Sequence, residues 1–135
     1  MEAASQSNRT VSLTIPAKPD YVVLARLALS AVCRIAPLDL EAAQDLKLAI
    51  TEAATFLMGG DRRAAARAEE DNQQMTFAFD LADDEIVVRV EGGEGATFSE
   101  EERELSRAII EATADDCTYD AGTMTLRKKL GLDGQ

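Results

Sequence analysis

The sequence predicts an α/β domain, a two-layer sandwich in which a mostly antiparallel sheet is covered by about three helices. Three observations lead there. Apolar residues alternate in short runs typical of strands, they recur at spacings of three and four in longer runs typical of helices, and the runs follow one another as β-α-α-β-β-α-β-β. The chain has 135 residues, 46% of them hydrophobic. That is the size of one domain able to bury about two-thirds of its unfolded surface in a single core. Residues 10–130 are assigned to that domain, with 1–9 and 131–135 as tails.

The first strand is expected over Thr10 to Ile15, where Val11, Leu13 and Ile15 share one face and Pro16 and Pro19 end the run. Pro19 suits the first turn of a helix. Up to Pro37, Leu24, Leu27, Ala28, Ala31 and Ile35 form a candidate buried stripe with Arg26 and Arg34 turned away from it. Asp39 is placed to cap a second helix from Leu40. Its stripe is Ala43, Leu46, Ile50, Ala53 and Leu57, with Glu52 at the edge and Gly59-Gly60 as the stop. Asp61 to Gln74 is charged and alanine-rich, and reads equally as a short exposed helix or a loose connection. Met75, Phe77, Phe79 and Leu81 then alternate, as do Ile86, Val88 and Val90, which makes a hairpin about Ala82-Asp83-Asp84. Ser99 and Glu102 have the spacing of a capping box. It opens a third helix with apolar positions Leu105, Ala108, Ile109 and Ala112, closed by Asp115-Asp116. Cys117 to Tyr119 and Thr123 to Leu130 complete the pattern as a strand pair.

Composition narrows the function. The formal charge is -11, from 25 acidic and 14 basic residues, so nucleic acid and anionic membrane are repelled at long range and neither is expected as a direct partner. Arg62, Arg63 and Arg67 do not change this, because Glu69, Glu70 and Asp71 follow at once. Histidine is absent, which removes Ser-His-Asp triads, Cys-His dyads and histidine metal sites. Cys33 and Cys117 are far apart with no CxxC pair, and read as buried thiols of a reducing cytoplasm with no metal site. Asp83-Asp84 reads as a turn former rather than a metal pair. Tyr21 to Leu40, the longest apolar-rich stretch, is broken by Arg26, Arg34 and Pro37 and falls short of the ~20 residues a bilayer span needs. The N-terminus lacks the features of a secretory signal. A soluble, cytoplasmic protein is expected.

Three stretches carry a resemblance to a known family: Ile15-Pro-Ala-Lys-Pro-Asp-Tyr21, the helix start Val22-Val-Leu-Ala-Arg26-Leu, and Asp45-Leu-Lys-Leu-Ala-Ile-Thr-Glu52-Ala-Ala-Thr55. They resemble the RsbW-like anti-sigma factor serine kinases of bacterial partner switching, members of the histidine-kinase-like ATPases. The likeness is strongest over residues 11–58 and continues in the order of elements to Gly122-Thr-Met-Thr125. It implies the Bergerat-type α/β sandwich. It also implies a protein that binds a sigma factor, is displaced by an anti-anti-sigma partner of STAS type, and in active members phosphorylates a serine on that partner with Mg-ATP.

The sequence departs from the family where the ATP chemistry resides. The resemblance implies a Glu as base and, four residues later, an Asn that holds magnesium. Glu52 matches the first, but Phe56 stands at the second and offers no oxygen to a hard cation. The family's Asp and spaced glycines correspond to Glu91-Gly92-Gly93-Glu94-Gly95, where Glu91 matches the Asp only with a register shift. Gly93 and Gly95 there read as turn residues rather than a phosphate loop. Thr123 is a further degenerate nucleotide position. The family's ATP lid ends in glycines at the start of the third helix. Here the matching positions are Arg103, Glu104 and Ser106, only a few residues separate Phe98 from the helix, and Glu100, Glu101 and Glu102 occupy its N-terminus. A Bergerat fold lacking the lid is therefore expected. Several charge-assisted phosphate contacts, at ~1.5–3 kcal/mol each, are missing together.

The expected function is an anti-sigma-factor-like regulator acting by protein–protein binding, a pseudokinase with Glu52 as a vestigial base and no cofactor. Arg26 matches a family position on the surface shared by sigma factor and anti-anti-sigma partner, and is the candidate partner-binding residue. The alternative is an active serine/threonine kinase using Mg-ATP on an anti-anti-sigma partner. A homodimer, paired through the first strand or first helix, is a third expectation.

Overall fold

Five strands form one sheet in the order β1-β2-β3-β5-β4, with every neighbouring pair antiparallel: β1 (Arg9–Pro16), β2 (Gln74–Leu81), β3 (Glu85–Glu91), β4 (Asp116–Asp120) and β5 (Thr123–Lys129). The computed structural model describes residues 9–36, 38–58, 73–92, 100–120 and 122–130. Pro37, Gly59-Gly60, residues 61–72, residues 93–99 with Gly93, Glu94, Gly95, Phe98 and Ser99, and the side chains of Glu100, Glu102 and Arg103 lie outside that description, and so do the expectations placed on them. Helices α1 (Val22–Ile35), α2 (Leu40–Met58) and α3 (Glu100–Thr113) cover one face of the sheet, and a 3-10 turn at Pro19–Tyr21 leads into α1. The expected two-layer architecture is the one observed, with β1 starting at Arg9.

The strand periodicity assigns faces as read. Ile15, Met75, Phe77, Phe79, Leu81, Ile86, Val88, Val90, Met124 and Leu126 are buried under the helices. The opposite face is polar and laced by cross-strand contacts. Thr10 Oγ1 donates to Asp80 Oδ1 at 2.6 Å, Arg89 Nη1 to Asp80 Oδ2 at 2.5 Å, and Arg127 Nη1 to Glu85 Oε2 at 2.8 Å. The hairpin closes about Ala82 to Asp84, with Ala82 N donating to Glu85 O at 3.0 Å. Asp83-Asp84 is thus a turn.

The helices lie side by side: α1 over β1 and β2, α2 over β3 and β5, α3 toward β4, with α2 touching both neighbours. Asp39 caps α2 as expected, its Oδ1 accepting from Ala42 N at 2.8 Å. The predicted α2 stripe, Ala43, Leu46, Ile50, Ala53 and Leu57, is buried throughout.

For the other two helices the stripe read from sequence is the wrong face. In α1 the core takes Val22, Ala25, Leu29 and Val32. Leu24, Leu27 and Ile35 are 42%, 60% and 54% exposed, Ala31 is exposed, and only Ala28 is half-buried. Both sets recur at threes and fours, so periodicity alone cannot choose between them. Ala25, with no exposed surface, lets the helix approach the sheet closely. In α3 the buried positions are Ser106, Ile110 and Thr113; Ile109 is half-buried, while Leu105, Ala108 and Ala112 are exposed. A polar residue can face inward when its hydroxyl is satisfied, and Thr113 Oγ1 donates to Ile109 O at 2.8 Å. Cys33 and Cys117 are half-buried rather than buried. Burial pushes both thiols up, opposed by Lys47 at Cys33, and reinforced by Glu111 at Cys117.

The C-terminus of α3 is tied to the sheet by one cation. Lys128 Nζ donates to Thr113 O at 3.2 Å and lies 3.6 Å from Asp45 Oδ2 and 4.0 Å from Asp115 Oδ1, so it neutralises a helix C-terminus and bridges α2, α3 and β5. Its side chain is only 13% exposed. Lys128→Met retains the stem and removes the charge. We expect it to lower unfolding free energy by about 1–2 kcal/mol in urea titration.

Candidate functional site

Glu52 and Phe56 are one helical turn apart on α2, on the flank that faces α3. Their placement follows from the α2 stripe: with Ala49, Ile50 and Ala53 facing the core, both side chains point into the cleft between the two helices. Glu52 is half-buried. Its Oε2 accepts a hydrogen bond from Ser106 Oγ at 2.9 Å, and Ser106 is itself only 4% exposed. The inward turn of α3 at Ser106 therefore has a physical cause, a carboxylate across the cleft that accepts its hydroxyl proton.

Phe56 is 9% exposed, and its ring meets Tyr119 of β4 edge to face, with centroids 5.5 Å apart and an interplanar angle of 88°. The position that the family resemblance assigns to a magnesium-holding amide is thus an aromatic contact between α2 and the edge strand. A phenyl ring supplies no oxygen ligand, so this position does not fit magnesium.

At the end of β3, Glu91 is exposed and lies opposite Thr123 in the β3–β5 register. Gly92 has φ +134°, and a Cβ there would sit 2.8 Å from Gln74 O and 3.0 Å from Met75 Cα. Its N–H donates to Gly122 O at 3.3 Å. Only glycine fits this close approach to β2, so the requirement at position 92 arises from the sheet itself.

Arg26 is elsewhere. It is exposed on α1, whereas Glu52 and Phe56 lie on the α3 side of α2. The structure therefore brings Glu52 and Phe56 together, gathers Ser106 and Tyr119 around them, and separates this group from Arg26. Ser106 and Tyr119 escape sequence reasoning as partners. Ser106 breaks the apolar period that defined the α3 face, and nothing local indicates which strand residue an α2 aromatic will meet.

A fold of this topology, with a glutamate on the second helix directed into the cleft beneath the third, defines a class. The model of the histidine kinase-like ATPase domain matches residues 15–128, and the chain belongs to that family, as an RsbW-like member. Similar curated relatives are the serine-protein kinase RsbW of Listeria innocua, 37% identical over 105 residues, and that of Listeria monocytogenes, 38% identical over 93 residues. The first alignment covers 78% of this chain and 63% of the relative, the second 69% and 55%, so the chain spans under two-thirds of their length. The RsbW of Bacillus subtilis is 26% identical over 106 residues, 78% of this chain and 63% of that protein. Among solved structures, that of the RsbU and RsbW domains of Rv1364c from Mycobacterium tuberculosis shares the fold, with a TM-score of 0.61 at 19% identity over 90% of this chain and 32% of that one.

The Glu52–Ser106 bond can be tested directly. Ser106→Ala leaves the carboxylate without its partner, and we expect a loss of about 1–2 kcal/mol in denaturant unfolding. Ser106→Gly should lose roughly 0.5–1 kcal/mol more through helix propensity.

Proposed function

We propose that the chain is an anti-sigma-factor-like regulator that works by protein–protein binding in a partner-switching pathway in the cytoplasm, with ATP binding lost or severely weakened. The observation that carries this reading is Phe56, whose ring packs on Tyr119 at the position where the family's metal amide belongs. Two features support it. The Glu52 carboxylate already holds the Ser106 hydroxyl, and β3 ends at Glu91 while α3 begins at Glu100, leaving a short connection between them. On this reading the switch is set by stoichiometry between a sigma factor and an anti-anti-sigma protein of STAS type. Arg26 supplies a guanidinium fork to an acidic residue of either partner.

The second reading, an active serine/threonine kinase, is favoured by two observations: Glu52 is retained in the interhelix cleft, and the similar relatives are serine-protein kinases. Calorimetric titration decides between the two. For the regulator, Mg-ATP and Mg-ADP give no saturable heat up to millimolar concentration, and [γ-32P]ATP labels no serine on a STAS-type partner. Binding followed by labelling establishes the kinase.

A charge reversal probes the partner surface. Arg26→Glu should weaken a sigma-factor or STAS-type complex by roughly ten-fold or more, read by surface plasmon resonance, with the melting temperature of the free chain little changed.

A further inference from the structure

β4 is the edge of the sheet farther from α1. It pairs with β5 and, among the described residues, with no strand on its other side. Hydrogen bonds flanking β5 fix which main-chain groups face that side. Gly122 O accepts from Gly92 N and Leu130 N donates to Asp84 O, both toward the β3 side, whereas Arg127 O accepts from Asp115 N on the β4 side. Bonding directions alternate along a strand, so Thr123, Thr125 and Arg127 bond toward β4, and Thr118 and Asp120 opposite them bond inward. The N–H and C=O groups of Cys117 and Tyr119 therefore point out of the sheet. Lysine or proline often blocks pairing at such an edge, and Asp116–Asp120 contains neither.

The side chains of β4 divide by face. Met124 and Leu126, opposite Tyr119 and Cys117, are buried under the helices. Tyr119 and Cys117 thus lie on the helix side, and Asp116, Thr118 and Asp120 on the open face. Asp116 and Asp120 are exposed and roughly 13 Å apart along the strand. Neither joins an ion pair among the described residues. Arg127 stands opposite Asp116 but gives its Nη1 to Glu85. On the helix side Glu111 and Arg107 act on the Cys117 thiol with opposite sign, so the open-face carboxylates decide the charge of the edge. Tyr119 is 40% exposed although Phe56 braces its ring. It is an apolar ledge whose conformation is set before anything binds.

These charges select the occupant. A second copy added β4 to β4, antiparallel about Thr118, sets Asp116 of each copy against Asp120 of the other and opposes like charges at both ends. The same carboxylates, in a chain of net charge -11, attract a cationic strand. We propose that β4 docks an extended basic segment of a partner protein, which adds antiparallel as a sixth strand. Its Lys or Arg side chains, four residues apart, meet Asp116 and Asp120, and its apolar side chains meet Tyr119 and Cys117. In recognition by strand addition the main-chain ladder gives affinity and the alternate side chains give selectivity. This goes beyond the regulatory reading, since the edge lies across the sheet from α1, which carries Arg26.

The test uses the full chain, 15N-labelled, and three synthetic peptides. One has a Lys-Val-Thr-Val-Lys centre, one has Glu in place of both Lys, and one is the lysine peptide N-methylated at both Val, which removes the donors that would reach the Cys117 and Tyr119 carbonyls. The lysine peptide should shift the amide signals of Asp116 to Asp120, slow hydrogen exchange at Cys117 and Tyr119, and bind roughly ten-fold tighter than either of the others. Asp116→Asn with Asp120→Asn should reduce its advantage over the glutamate peptide to about two-fold or less. Both side chains are exposed, so the variant should keep the wild-type fold, checked by circular dichroism. The proposal is overturned if the lysine peptide does not bind or shifts only other elements. It is equally overturned if the N-methylated peptide binds as tightly, since attraction of charge without a ladder would then suffice, or if the lysine and glutamate peptides bind alike. Sedimentation showing a dimer of the free chain in which the Cys117 and Tyr119 amides are already protected makes a second copy the occupant and rejects the basic segment.

Discussion

The arrangement rests on α2 being enclosed on every side but one. Ala49, Ile50, Ala53, Ala54 and Leu57 have no exposed surface, with β3 and β5 beneath the helix and α1 and α3 along its flanks. Three of these five are alanines, and their small volume lets the neighbouring helices approach to close-packed distance. Glu52 and Phe56 inherit their positions from this packing. A helix held on three sides cannot rotate, so its polar carboxylate and its aromatic ring are presented to α3 and β4 at fixed angles, and Ser106 and Tyr119 are the groups that meet them.

The two flanks of α2 differ in character. Toward α3 and β4 the contacts are specific and short, a charge-assisted hydrogen bond, an edge-to-face ring pair and the Lys128 bridge. Toward α1 the molecule ends in an aliphatic surface with two arginines. A catalytic fold that turns to binding needs its cleft closed and its outer helix available. On the proposed reading the first condition traces to two positions beside one rigid element: an aromatic where the resemblance implies an amide, and a serine where it implies a glycine.

Much of the fold was legible in the sequence because strand alternation and turn chemistry are local. The hairpin at Ala82 to Asp84, the Asp39 cap and the final strand pair all follow from residues adjacent in the chain. The helix faces were less legible for a physical reason. α1 carries two apolar stripes, and a moment computed from one chain cannot know which of them the sheet will cover. In α3, Ser106 and Thr113 look outward-facing by polarity yet turn inward because each has an acceptor, one of them supplied by a residue on another helix. At the site, the substitution at Phe56 was visible as chemistry. Its ring partner on β4 was not, since long-range pairing has no sequence signature of its own.

The register of β1 carries one last consequence. Among the described residues Arg9 to Pro16 pair only with Leu81 to Gln74, across the whole α1–α2 unit, which puts β1 at an edge of the sheet. During folding this strand waits on a distant neighbour, since closing so large a loop precedes any gain from the ladder. Its amides are meanwhile available to stray extended segments. The arginine at its beginning and the imino acid at its end are the ordinary safeguards against such mispairing, and they protect a chain whose sheet is completed late from its own edge strand.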